Sequence, residues 1–81
     1  MNVRLTKSAR KQFLALPDSL RKKARKQFAN LLIDIRHPSL HAKKYQGQNE
    51  IWQGRIDKNW RFYFHIIEPN YVVISIIVHP K

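Results

Sequence analysis

Five basic residues are of types that could carry out chemistry on a phosphate group: Arg55, Arg61, His79, Lys43 and Lys44. An arginine grips a phosphate through two parallel hydrogen bonds. A histidine titrates near neutral pH and can serve as a general acid. A lysine beside another positive charge can serve as a base, or can simply contact a phosphate or solvent. Together these residues indicate acid–base or phosphoryl chemistry carried out by cations.

Other kinds of site lack the residues they need. The chain has no cysteine and only two glycines, Gly47 and Gly54, so it has no glycine-rich loop for a nucleotide cofactor. His37 and His41 do not have the spacing of a helical metal site, and no acidic cluster accompanies them. Paired carboxylates and a nucleophilic Ser or Cys arrangement are also missing. We therefore expect no cofactor and no metal.

Charge dominates the composition, because sixteen Lys and Arg residues stand against five Asp and Glu residues, for a formal net charge of +11. Such a field attracts polyanions, either nucleic acid or an acidic protein. Five of the sixteen lie in one short run: Arg21, Lys22, Lys23, Arg25 and Lys26. This run is either a solvated helix face or an electrostatic footprint for RNA or DNA.

The 81 residues are enough for a single domain spanning 1–81. The longest apolar stretch, Tyr71 to Val78, is far shorter than the roughly 20 residues of a membrane helix. The amino terminus lacks the apolar core of a signal peptide. We therefore expect a cytoplasmic protein that does not act in a membrane.

Two helices are predicted in the first half of the chain, after a possible short strand at Val3 to Leu5. The first covers Lys7 to Leu16 with Thr6 as its cap, and Pro17 ends it. The second begins with Asp18 or Ser19 as its cap and ends at Ile35 or Arg36, before His37-Pro38. Its apolar stripe follows helical spacing through Leu20, Ala24, Phe28, Leu31, Leu32 and Ile35.

After a polar loop from His37 to Asn49, the apolar pattern changes to a period of two, which predicts three antiparallel strands. These are Ile51 to Ile56, Trp60 to Ile67 and Tyr71 to His79, each joined to the next by three residues. Side chains alternate between the two faces of a sheet. The core face is predicted to carry the even positions: Trp52, Ile56, Trp60, Phe62, Phe64, Ile66, Val72, Ile74, Ile76 and Val78.

The odd positions place the candidate residues together on the other face. Three-residue loops would set Arg55 opposite Arg61 and Arg61 opposite Ile77, with His79 a diagonal neighbour of Arg61. Two arginines directly opposite each other repel, unless an anion lies between them. Without a ligand they would be solvated, or paired with Asp57 or Glu50. We expect Arg61 to project from this face, so that its truncation affects activity more than stability.

The order of elements and several short segments resemble the RelE/ParE superfamily of bacterial type II toxins. The segments are His37-Pro38-Ser39-Leu40, Lys43-Lys44-Tyr45-Gln46-Gly47, Ile51-Trp52-Gln53-Gly54-Arg55-Ile56, Asn59-Trp60-Arg61-Phe62-Tyr63-Phe64 and the late His79. The resemblance covers nearly the whole chain. It implies an α+β fold with a helical hairpin, possibly after a short first strand, packed on a three- to four-stranded antiparallel sheet.

The resemblance also implies roles for the candidate residues. In the ribonuclease branch, the 2′-hydroxyl of mRNA in the ribosomal A site attacks the adjacent phosphate and a 2′,3′-cyclic product forms. Arg61 matches the arginine that stabilises the phosphate, Arg55 a second arginine of some members, and His79 a histidine acting as acid or base. Lys43 or Lys44 falls where members place a base. Pro80-Lys81 replaces an aromatic ending, and no acidic residue accompanies His79, which leaves the base unassigned.

The partners expected from this resemblance are mRNA, ribosomal RNA and an acidic antitoxin in the bacterial cytoplasm, with growth arrest and plasmid stabilisation as the outcome. The basic run from Arg21 to Lys26, with His65, would contact the ribosome. One alternative is a ParE-like gyrase inhibitor without nuclease activity, since that branch shares the arginine matched by Arg61. Another is a non-catalytic module that binds nucleic acid or an antitoxin. His79 with the lysine pair favours the nuclease.

Overall fold

A computed structural model describes residues 1–45 and 50–79. Gln46 and Gly47 of the motif above, Asn49 at the end of the predicted loop, and Pro80-Lys81 lie outside the described residues. The elements are β1 (Asn2–Leu5), α1 (Lys7–Ala15), α2 (Asp18–Ile33), a 3-10 turn (Pro38–Leu40), β2 (Lys43–Lys44), β3 (Trp52–Arg55), β4 (Trp60–Ile67) and β5 (Asn70–Val78). The predicted α+β class is confirmed. Neither helix in the described part of the chain is long and apolar enough to cross a membrane.

The five strands form one mixed sheet in the order β1-β5-β4-β3-β2. β1 runs parallel to β5, and the other neighbouring pairs are antiparallel. The sheet therefore has more strands than the three or four predicted, and its first strand adds a parallel pairing. The additional strand is β2, the pair Lys43–Lys44, which was predicted to lie in a loop because two residues are too few to show a period.

The helices begin and end for local reasons. Thr6 caps α1 as predicted, because its hydroxyl accepts a hydrogen bond of 3.1 Å from the N–H of Ala9. Pro17 stands at the cap position of α2 without a side-chain bond, so the predicted Asp18 or Ser19 cap is wrong, and Asp18 lies in the first turn. α2 ends at Ile33, earlier than predicted.

Aromatic rings join α2 to the sheet. Phe28 meets Phe62 edge to face at 5.2 Å, and Phe62 stacks on Phe64 at 5.5 Å. The buried apolar set is Ala9, Leu16, Ala24, Phe28, Leu31, Leu40, Ile56, Phe62, Phe64, Val73 and Ile76. Leu32 is 46% exposed, so the predicted apolar stripe of α2 was too wide at that position.

The hairpin of β4 and β5 has the predicted pairing at Arg61, but its turn is shorter than predicted and a bulge follows the turn. Ile67 pairs with Asn70, so the connection has two residues rather than three. A β-bulge then follows, because Tyr63 pairs with Ser75 and Phe64 with Val73. The extra residue of the bulge makes up for the shorter turn. Beyond it, Arg61 pairs with Ile77 as predicted.

The bulge also changes which side chains of β5 reach the core. Val73 is fully buried, whereas the predicted core residues Val72 and Ile74 are only half-buried. Ile66 and Val78, also predicted to be in the core, are exposed at strand ends. Beside the bulge, the N–H of Ile76 donates to Oε1 of Gln12 on α1 at 2.9 Å. Helix α1 therefore helps to satisfy the backbone near the irregularity.

Gly54 is required by the packing of Phe62. The two residues pair across β3 and β4, and a Cβ atom on Gly54 would lie 2.5 Å from Cζ of the buried Phe62 ring. We predict that Gly54→Ala lowers the free energy of unfolding by about 1–3 kcal/mol, because the ring has little room to move. Urea denaturation measures the change. The neighbouring Gln53→Ala, on the opposite face, serves as the control and should change stability by less than about 0.5 kcal/mol.

Candidate functional site

A cleft of about 440 Å³ opens on the face of the sheet opposite the helices, here called the outer face. Its lining residues are His41, Ala42, Lys43, Gln53, Arg55, Arg61 and His79. The fold thus brings together four of the five residues first singled out. Lys44 is the exception, because it does not line this cleft and its Nζ lies 5.9 Å from the centre of the Trp52 ring.

Arg61 is held rigidly at the base of this cleft. Its Nη1 donates to the carbonyl oxygens of Asp57 at 2.7 Å and Trp60 at 3.1 Å. Only 6% of the residue is exposed, so the expectation that it projects freely from the outer face is wrong. These two backbone carbonyls, one in the β3–β4 turn and one at the start of β4, hold the guanidinium against the sheet. Burial lowers the pKa of Arg61, and the charge of Arg55 lowers it further.

Arg55 lies directly opposite Arg61 in the β3–β4 pair, as predicted. Its Nη1 is 3.4 Å from Nε2 of His41. Its Nε is buried without a hydrogen-bond partner among the described residues. Within the described ranges, neither Asp57 nor Glu50 forms a salt bridge with the two arginines, and Arg61 binds Asp57 through its backbone carbonyl. The cleft is therefore strongly electropositive.

Two histidines border the arginines. The backbone N–H of His79 donates to the carbonyl oxygen of Asn59 at 2.7 Å, which fixes the end of β5 beside the β3–β4 turn. The exposed imidazole of His79 lines the cleft. His41 lines it too, from a left-handed backbone position with φ of 47°. The sequence indicates no metal-binding role for His41 and predicts no other, because nothing in a polar loop shows which sheet edge a residue will reach.

The β3–β4 turn that supports Arg61 is organised by one carboxylate. Oδ1 of Asp57 accepts hydrogen bonds from the N–H groups of Asn59 at 2.8 Å and Trp60 at 2.9 Å. Its Oδ2 lies 3.6 Å from Nζ of Lys23. Partial burial raises the pKa of Asp57, but these two hydrogen bonds and Lys23 outweigh it and lower the pKa overall.

Gln27 is a functional candidate that the sequence analysis missed. It is buried on α2, and its Nε2 donates to the carbonyl oxygens of Arg55 at 2.8 Å and Ser39 at 3.0 Å. Its Oε1 accepts from Asn30 Nδ2 at 2.8 Å and from the Ser39 hydroxyl at 3.1 Å. One amide thus ties the helix to Arg55, which lines the cleft, and to the 3-10 turn that precedes His41. A signal was present, since Gln27 stands on the apolar stripe, three residues after Ala24.

The cations of α2 divide into two groups. Three make contacts within the protein. Arg21 binds the carbonyl oxygens of Leu14 and Leu16 and the carboxylate of Asp18, Lys23 binds Asp57, and Arg25 lies 5.3 Å from the centre of the Phe13 ring. Lys22 and Lys26 are exposed. His65 shares the outer face but does not line the cleft, and its Nδ1 donates to the carbonyl oxygen of Glu50 at 2.9 Å.

Solved structures share this architecture at low sequence identity. A YoeB/ParE toxin from Agrobacterium tumefaciens superposes with a TM-score of 0.83 and 16% identity over 99% of this chain and 100% of that one. The E. coli RelBE toxin–antitoxin complex contains a chain with a TM-score of 0.76 and 17% identity, covering 98% and 96% of the two chains. The Staphylococcus aureus YoeB dimer contains a chain that superposes with a TM-score of 0.71 and 19% identity, over 99% of this chain and 98% of that one.

Comparisons by sequence find no family model and no curated protein that matches. The structural neighbours nevertheless match almost the full chain, so the fold that the resemblance predicts is confirmed. The chain has the fold of the RelE and YoeB toxins.

We predict that Asp57→Asn is less stable than the wild type by about 1 kcal/mol at pH 7, because the carboxylate accepts two backbone hydrogen bonds and attracts Lys23. A lowered pKa means that this stabilisation is complete above the ordinary value of 3.8 and is lost as the pH falls through the folded value. The difference from the wild type should therefore shrink in acid. Urea denaturation at several pH values measures it, and a constant difference would contradict the assignment.

We predict that Gln27→Met disturbs the cleft as well as the core, because a thioether replaces neither donor nor acceptor. The loss of a buried amide network should cost about 1–3 kcal/mol of stability. NMR shifts of the Arg55, His41 and Lys43 amides should move. Leu31→Ala, a core truncation on the same helix with a cost of about 2–5 kcal/mol, is the matched control. The control should leave these three amide shifts in place. If Gln27→Met leaves them in place as well, Gln27 is only a core residue.

Proposed function

We propose that this protein is the toxin of a type II toxin–antitoxin system and that it cleaves mRNA in the bacterial cytoplasm, on the ribosome. The observation that carries the proposal is the cleft itself, where a buried Arg61 faces Arg55 beside Lys43 and His79. The shared fold with RelE and YoeB toxins supports it.

A phosphate would resolve the electrostatic conflict in the cleft. Two guanidinium groups lie side by side across the strand pair, with one partly desolvated and no carboxylate lining the cleft among the described residues. Such an arrangement is costly unless an anion binds between the charges. Because Nη1 of Arg61 is fixed by two carbonyls, the guanidinium is oriented before the substrate arrives. Preorganised charge of this kind stabilises a transition state efficiently.

The proposed reaction is an internal transfer at one phosphodiester. The ribose 2′-oxygen attacks the adjacent phosphorus, its proton passes to a base, and the bond to the 5′-oxygen of the next nucleotide breaks. The leaving oxygen takes a proton from an acid, which gives a 2′,3′-cyclic phosphate and a 5′-hydroxyl. His79 is the proposed acid. The position of Lys43 in the cleft favours it over Lys44 as the base, and the arginines stabilise the charge that develops on the phosphate.

The proposed partners follow from the surface charge. Three of the structural neighbours are RelB–RelE complexes, from E. coli, Pyrococcus horikoshii and Methanococcus jannaschii. For this chain we propose an acidic antitoxin that combines apolar burial with charge complementarity. The exposed Lys22 and Lys26 are the part of the basic run best placed for ribosomal RNA, because Arg21, Lys23 and Arg25 already make contacts within the protein.

We predict that expression of the wild type arrests growth and produces new mRNA ends, which primer extension detects. His79→Ala should abolish both, since loss of a general acid commonly costs roughly 10²–10⁴-fold in rate. It should fold normally, because the side chain is exposed. His37→Ala is the matched control, a histidine outside the cleft, and it should stay toxic. Toxicity in a folded His79→Ala would overturn the assignment, whereas arrest without mRNA ends would favour a gyrase inhibitor.

A further inference from the structure

The outer face of the sheet is arranged in rows that run across the strands. The pairing of β3 with β4 places Arg55 and Arg61 in one row. Lys43, Gln53 and Tyr63 form the next row, because Lys43 pairs with Gln53 and Gln53 with Tyr63. Neighbouring rows on one face are two residues apart, which is roughly 7 Å. Aromatic and amide groups therefore begin immediately beside the two arginines.

Tyr45 and Tyr63 form a preorganised aromatic pair on this face. Their ring centres are 5.4 Å apart and their planes meet at 84°. The backbone N–H of Tyr45 donates to the carbonyl oxygen of Ile51 at 2.7 Å, which ties the residue to β3. Tyr63 is half-buried, whereas Tyr45 remains 43% exposed. The Tyr45 ring therefore packs against Tyr63 and leaves part of its surface open to solvent.

A second cleft of about 400 Å³ lies beside this pair and is lined by Lys43, Lys44, Tyr45 and Gln53. It shares Lys43 and Gln53 with the arginine cleft, so the two clefts are neighbours on one surface. An aromatic ring, an amide with both donor and acceptor, and two ammonium groups are the components with which proteins bind single-stranded nucleic acid. Among the described residues, the arginine cleft is lined by no Phe, Tyr or Trp, whereas the second cleft has the Tyr45 ring.

We propose that the second cleft binds a nucleobase adjacent to the phosphate held by Arg55 and Arg61. Tyr45 stacks on the base, Gln53 hydrogen-bonds its edge, and Lys43, shared by the two clefts, contacts the intervening backbone. This site rests on the proposed function, because it names the part of a single-stranded RNA substrate that lies next to the cleaved bond. Stacking on tyrosine tolerates any base, so sequence preference at this position would come from Gln53.

The test is a binding measurement that requires no cleavage. A fluorescein-labelled hexauridine with 2′-deoxy sugars at every position cannot undergo 2′-hydroxyl attack, and its anisotropy reports binding at low salt. Tyr45→Ala should weaken binding by about 5- to 100-fold, the range expected for one lost base–aromatic stack. Tyr45→Phe keeps the ring and should bind within about twofold of the wild type. Circular dichroism confirms that each variant is folded.

A matched set of oligonucleotides with one abasic position separates stacking from charge. At the position that contacts Tyr45, removal of the base should weaken wild-type binding, while Tyr45→Ala should lose nothing further. Lys22→Ala, which removes a charge from α2, should weaken binding of the intact and the abasic oligonucleotide by the same factor. Unchanged binding by Tyr45→Ala, an equal loss with every abasic oligonucleotide, or no binding by the wild type would overturn the base site. Cleavage of mRNA in cells is scored separately, so failure of the nuclease proposal is distinguishable from failure of the base site.

Discussion

The pairing of Arg55 with Arg61 across β3 and β4 is the constraint around which the rest of the molecule is arranged. Two like charges directly opposite each other in a strand pair repel. The fold holds them there through hydrogen bonds to the Arg61 guanidinium and to the Arg55 backbone, and not through a salt bridge. The backbone carbonyls of Asp57 and Trp60 accept hydrogen bonds from Arg61, and the amide of Gln27 donates to the carbonyl of Arg55. Asp57 acts one step removed, by shaping the turn rather than by pairing with an arginine.

The apolar core supplies the rigidity that this arrangement needs. Phe62 and Phe64 alternate with Arg61 and Tyr63 along β4, so each core contact on one face fixes the direction of a functional side chain on the other. Gly54 opposite Phe62 lets the aromatic ring lie close to β3. The cleft is thus a property of strand register, and sequences with 16–19% identity share the architecture because many apolar sets can maintain the same register.

Much of this could be predicted from the sequence, because a period of two is strong in β3 and β4 and fixes which residues share a face. The pairing of Arg55 with Arg61 followed from that pattern. The burial of Arg61 did not, since backbone carbonyls of a turn leave no trace in a residue pattern. The choice between Lys43 and Lys44 required β2, a strand too short to show a period. The parallel partner of β1 was equally hidden, because a four-residue strand does not reveal its neighbour.

The bulge in β5 has a consequence for how such a chain tolerates insertions and deletions. A hairpin with a three-residue turn and no bulge would bring Arg61 opposite Ile77, as the two-residue turn with a bulge does. Gaining a residue in the turn and losing the bulge are therefore mutually compensating changes. A lineage could pass from one form to the other and keep His79 at the same end of β5. Alignments of related chains should show paired gaps here, one at the turn and one near Ile74.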